Sequence, residues 1–132
     1  MYRINVEIRF AAGHYLLLPH GLREKPHRHN WRVRAQVESA QLDEFGFVMD
    51  FHVLQEKLHQ IVKPFSLAEY MNDLPEFTQQ QPSTERIAHY IYIQLKSALP
   101  KEVILRKLTV WETDDCYASY HVNHMKRYTH RV

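Results

Sequence analysis

The chain has 132 residues, 45% of them apolar and 24% charged, which is the size and composition of one globular domain with a core of its own. A formal charge of +2 argues against nucleic-acid binding, which wants a strongly basic face, and a lone cysteine, Cys116, excludes an internal disulfide framework and fits a reducing cytoplasm. The opening MYRINVEIRF lacks the unbroken apolar run of a secretory signal, no later run reaches membrane-spanning length, and a cytoplasmic location is expected.

The first segment alternates. Ile4, Val6, Ile8 and Phe10 share one face; Arg3, Asn5, Glu7 and Arg9 share the other. Period two predicts a half-buried strand. A loop marked by Pro19, Gly21 and Pro26 follows. A second strand then sets Trp31, Val33, Ala35 and Val37 against Arg32, Arg34, Gln36 and Glu38. Gly46-Phe47-Val48-Met49-Asp50-Phe51 leads into a helix with Asp50 as its N-cap and Phe51, Leu54, Leu58 and Ile61 as its apolar stripe, stopped by Pro64. A loop through Asn72, Asp73 and Pro75 reaches Pro82-Ser83-Thr84-Glu85, where Ser83 or Thr84 caps a second helix. That helix carries Ile87, Ile91 and Leu95 and ends at Pro100. Two more strands are expected over about 103–113 and 117–122. The order β-β-α-α-β-β predicts an α+β fold: a four-stranded antiparallel sheet with two helices on one face. The expected boundaries are a single domain over residues 1–122 and an irregular tail over 123–132.

Histidine is the unusual count, 10 in the chain. Continuing the core-facing parity of the first strand past Phe10 gives Ala12 and then His14. Stepping back from Trp31 on the second strand gives His29 and then His27. Three imidazoles thus prolong the buried faces of two neighbouring strands, unless Gly13 carries a bulge that breaks the parity. Each buried ring nitrogen needs a partner. Zinc takes neutral imidazole, and a three-histidine set leaves its fourth position open; imidazole suits iron and nickel as well. The competing reading is three solvent-facing loop histidines. The same parity puts Glu112 on the face of Leu108 and Val110. There it is either a solvated carboxylate on a fraying strand or an anchor for the N–H/NH₂ edge of a guanine-like ring.

These pieces in order, Phe10-Ala11-Ala12-Gly13-His14, His27-Arg28-His29, Gly46 to Phe51, Pro82 to Glu85 and Trp111-Glu112-Thr113, resemble the 6-pyruvoyl-tetrahydropterin synthase / 6-carboxytetrahydropterin synthase family over nearly the whole chain. The resemblance implies a tunnelling (T) fold assembled into trimers or hexamers with active sites between subunits. It implies zinc on His14, His27 and His29, with Glu112 gripping a pterin ring beside Thr113. The implied substrate is 7,8-dihydroneopterin triphosphate, and the implied product is 6-carboxy-5,6,7,8-tetrahydropterin, on the way to queuosine.

The chain departs from the family pattern in three places. Gly21, Leu22 and Arg23 occupy the positions expected for a proton-abstracting cysteine, and Leu67 and Ala68 stand where an Asp-His pair belongs. Arg28 replaces the usual glycine between the paired histidines; it either meets a triphosphate or sits in solvent. Cys116 reads as a small buried apolar residue. Glu24, three residues before His27, resembles a variant branch in which glutamate replaces the cysteine and the side chain is cleaved to 6-hydroxymethyl-7,8-dihydropterin for folate. The other reading of Glu24 is a solvated loop residue. The alternatives for the whole chain are that variant lyase and a non-catalytic metal- and pterin-binding paralogue. Metal storage by His121, His124 and His130 is a weaker option, and His52, His59 and His89 read as ordinary helix histidines.

Overall fold

The structure is a computed structural model that describes residues 1–122. The expected tail, with His124 and His130, lies outside the described residues. β1 (Tyr2–His14) pairs antiparallel with β2 (His27–Ser39) in unbroken register, from Tyr2 opposite Ser39 to His14 opposite His27. The alternation decides the faces. Val6, Ile8, Phe10 and Ala12 are buried from one strand, and Trp31, Val33, Ala35 and Val37 from the other.

Two helices follow, α1 (Phe51–Leu67) and α2 (Thr84–Ala98), then β3 (Ile104–Thr113) and β4 (Cys116–His121). The sheet order is β1-β2-β3-β4, all neighbours antiparallel. The architecture is the expected α+β one. α1 packs over β1 and α2 over β3 and β4, and one apolar core runs between helices and sheet. The caps are those the residues dictate. Asp50 Oδ1 accepts from the His52 and Val53 amides at 2.7 and 3.2 Å, and Ser83 Oγ accepts from the Arg86 amide at 3.2 Å. Each such cap is worth about 1 kcal/mol.

Three sequence expectations are corrected. Pro64 does not stop α1, which runs to Leu67. Proline lacks only its own N–H, its carbonyl still accepts from the Ala68 amide at 3.1 Å, and the fully buried Phe65 anchors the extra turn. Phe51 is exposed; the buried stripe is Leu54, Leu58, Val62 and Phe65. Cys116 is exposed rather than buried, because it pairs with Thr113 at the tip of the β3–β4 hairpin, flanking the turn residues Asp114 and Asp115.

Gly13 carries no bulge. A Cβ there would lie 3.2 Å from the Glu69 carbonyl oxygen and 3.3 Å from Tyr70 Cδ1. The glycine lets the loop between the helices close onto β1 beside His14. That loop turns twice, at Met71–Asp73 and Pro75–Phe77, and buries Met71 and Phe77. At the far end of the sheet Glu38, 3% exposed, lies between Arg106 Nε at 2.5 Å and Arg3 Nη2 at 3.3 Å.

Candidate metal centre

The site stands at the end of β1 and β2 where the strands meet their connecting loop. Strand parity delivers three imidazoles to it. The rings of His14 and His27 are 4.6 Å apart between centroids, His27 and His29 4.5 Å, and His14 and His29 6.3 Å. His14 is fully buried, with its ring edge-on to Trp31 at 4.9 Å. Trp31 is itself held by its Nε1, which donates to the Ala12 carbonyl at 3.1 Å.

β3 supplies the fourth group. Its register against β4 shifts between Trp111 and Thr113, which leaves Glu112 without a partner on β4. Bulges of this kind re-aim side chains next to active sites. Glu112 Oε1 lies 3.1 Å from His14 Nε2, and Oε2 lies 3.7 Å from His29 Nε2. The Thr84 hydroxyl, in the first turn of α2, donates to Oε1 at 3.3 Å. One donor atom from each of His14, His27, His29 and Glu112 lies within 4.8 Å of the others.

The tautomers follow from the acceptors. His14 Nδ1 is 2.8 Å from the Pro82 carbonyl, which can only accept, so Nδ1 carries the proton. In the neutral ring Nε2 then holds a lone pair, and it is buried without a hydrogen bond while facing the Glu112 carboxylate. A lone pair and a carboxylate oxygen at that distance repel unless a positive charge lies between them. A proton on His14 is one candidate for that charge. Burial, the largest influence, lowers the pKa of His14 and disfavours the imidazolium, although the Pro82 bond and the nearby Glu112 pull the other way. A metal cation satisfies the imidazole and the carboxylate together, so the donor set fits one. His27 repeats the pattern: its Nδ1 donates to the Lys25 carbonyl at 3.0 Å and frees Nε2. Backbone carbonyls holding the far nitrogen of a histidine are the usual outer support of a metal ligand.

Glu24 stands on the other side of His27. Its Oε1 is 3.5 Å from His27 Nδ1 and is buried without a hydrogen bond. Thr113 is not in the cluster; it is exposed at the last rung of β3. Arg28 and Leu67 are exposed, and Ala68 is half-buried after the end of α1. Sequence reasoning missed the Pro82 carbonyl and the Thr84 hydroxyl. The Pro82-Ser83-Thr84 run signals a helix start, and only the fold shows that this start abuts the histidines.

A family model described as 6-pyruvoyl tetrahydropterin synthase matches residues 3–123. The chain is 35% identical over 102 residues to a 6-carboxy-5,6,7,8-tetrahydropterin synthase from Synechocystis, covering 74% of this chain and 78% of the relative. It is 28% identical over 113 residues to a dihydroneopterin monophosphate aldolase from Pyrococcus furiosus, covering 86% of this chain and 91% of the relative. Its fold superposes with a TM-score of 0.69 and 21% identity on a 6-pyruvoyltetrahydropterin synthase from Plasmodium vivax, a variant in which a catalytic glutamate is replaced by alanine, over 92% of this chain and 98% of that one. The chain belongs to the 6-pyruvoyl tetrahydropterin synthase family.

Proposed function

We propose that this chain is a zinc-dependent pterin lyase of the 6-carboxy-5,6,7,8-tetrahydropterin synthase type, acting on 7,8-dihydroneopterin triphosphate. The observation that carries it is the aim of His14: Nδ1 tied to Pro82, Nε2 pointed without a partner into His27, His29 and Glu112. His14, His27 and His29 hold the zinc, leaving one position for a substrate oxygen. Bound zinc supplies Lewis-acid polarisation of the substrate side chain. Glu112, steadied by Thr84, accepts two N–H bonds from the pterin ring, with Thr113 beside it. The relatives named as pterin enzymes support this substrate class.

The position of Glu24 favours a second reading of the product. A carboxylate oxygen buried beside His27 without a hydrogen bond is the group we assign as the acceptor of a proton from the substrate side chain. That favours cleavage to 6-hydroxymethyl-7,8-dihydropterin. The aldolase relative supports it. Among the described residues β1 and β4 are the edge strands of the sheet, and pairing through such edges suits assembly into a trimer or hexamer. No helix among the described residues is long and apolar enough to cross a membrane. A cytoplasmic location and the absence of a nucleic-acid partner are part of the same proposal.

Incubation of the zinc-replete protein with 7,8-dihydroneopterin triphosphate, with products resolved by chromatography, tests it. A carboxy product supports the first reading. A hydroxymethyl product whose rate Glu24→Gln lowers by about 10²–10⁴-fold supports the second. Stoichiometric pterin binding with no product leaves a binding paralogue and sinks the enzymatic reading.

A further inference from the structure

The segment after β1 is held in an unusual way. Asn72 Oδ1 accepts from the Tyr15 amide at 3.1 Å, and its Nδ2 donates to the Tyr15 carbonyl at 2.9 Å. Two residues on, Gln81 Oε1 accepts from the Leu17 amide at 2.7 Å, and its Nε2 donates to the Leu17 carbonyl at 3.3 Å. In an extended chain, alternate residues present both backbone groups to the same edge. Two side-chain amides therefore occupy the places that a neighbouring strand would take.

The opposite edge of the same segment carries Glu24. The Glu24 amide donates to the Leu16 carbonyl at 2.8 Å, the Leu18 amide donates to the Leu22 carbonyl at 2.7 Å, and Leu17 faces Arg23 across an antiparallel bridge. His20 and Gly21 turn the tip with φ of 67° and 76°. The Arg23 guanidinium lies 4.0 Å over the Tyr15 ring, and that ring meets Tyr70 edge-on at 5.8 Å. The ribbon from Tyr15 to Glu24 buries none of its residues fully. Its place is set by backbone hydrogen bonds and these ring contacts rather than by a core.

We propose that Asn72 and Gln81 are positioning residues for Glu24, clamping the ribbon that holds its carboxylate beside His27. This rests on the reading of Glu24 as the proton-accepting group. Neither amide belongs to the metal-ligand set. Both come from the loop that also offers the Pro82 carbonyl to His14, so one loop sets both the ligand and the base. Small displacements of such a group are costly, since a shift of about 1 Å can slow a reaction by about a hundredfold.

The test is a double-mutant cycle with an exchange measurement beside it. Gln81→Ala is expected to lower kcat about tenfold with KM and bound zinc unchanged, and Gln81→Glu, whose second carboxylate oxygen meets the Leu17 carbonyl in place of a donor, is expected to lose as much. In a Glu24→Gln background Gln81→Ala should change the remaining kcat by less than about twofold, because its effect runs through the missing group. Equal losses in both backgrounds, or a rise in KM at unchanged kcat, overturn the proposal. Asn72→Asp supplies an independent second variant with the same expectation. Amide hydrogen exchange in Gln81→Ala should quicken at Leu18 and Glu24 and stay unchanged in β2. If the wild-type chain turns over no pterin, the functional reading fails on its own; unchanged exchange at Leu18 and Glu24 then overturns the clamp separately.

Discussion

His14 is constrained at both ends of its ring, by a carbonyl that can only accept and by a carboxylate that repels a bare lone pair. His14→Ala is expected to cut bound zinc to below about a tenth of wild type, because a metal held by three imidazoles loses most of its affinity with one removed; elemental analysis after desalting checks this. Glu112→Gln should keep the metal and lose pterin affinity by about tenfold or more, since only one of two acceptors remains for the ring edge. Calorimetry with a pterin separates the two effects, and loss of zinc from Glu112→Gln would make Glu112 a ligand instead. Much of this cluster was legible in the sequence. Parity carried His14, His27 and His29 to one place because β1 and β2 run regularly up to the site, whereas Glu112 stands at a register shift of β3 that parity alone does not foresee. The supports were not legible. The Pro82 carbonyl, the Thr84 hydroxyl, Asn72 and Gln81 reach across 28 to 68 residues of sequence, and no local pattern marks a contact of that range.

Among the elements, the loop between the helices depends on a missing side chain. Gly13→Ala places a methyl group 3.2 Å from the Glu69 carbonyl and 3.3 Å from Tyr70, so either strand or loop must give. A loss of about 1–3 kcal/mol is expected, as for overpacking elsewhere, and denaturant unfolding measures it. Pro64→Ala is the converse case. It restores an amide that can bond the Gln60 carbonyl inside α1, and a gain of about 1 kcal/mol in stability is expected from the thermal midpoint. Element types and order followed from periodicity. The errors fell where two rules compete: Pro64 breaks a helix by propensity, yet the burial of Phe65 beyond it carries the helix on. Cys116 shows the same limit, since its apolar character says nothing about the hairpin tip on which it sits.

At the scale of the molecule, the two ends of the sheet answer differently to acid. Burial alone would raise the pKa of Glu38, but Arg106 and Arg3 outweigh it and hold the carboxyl below its ordinary value of 4.5. A depressed folded pKa adds stability that is fully present above the unfolded value and is lost as pH falls through the folded one. Stability should therefore fall as pH drops below about 4.5, and Glu38→Gln should flatten that limb of a pH series of unfolding curves. The assembly proposed above predicts that the chain sediments as a trimer or hexamer in the ultracentrifuge rather than as a monomer. The indole beneath the histidines carries a further consequence. The chain has 2 tryptophans. Trp31 stands 4.9 Å from His14 and 5.9 Å from His29, whereas Trp111 lies under the guanidinium of Arg32 at 4.0 Å. A cation entering the cluster changes the electric field on Trp31, the indole in ring contact with two of its histidines. The protein thus contains an intrinsic optical gauge of its own loading, which Trp31→Phe should silence and Trp111→Phe should leave readable.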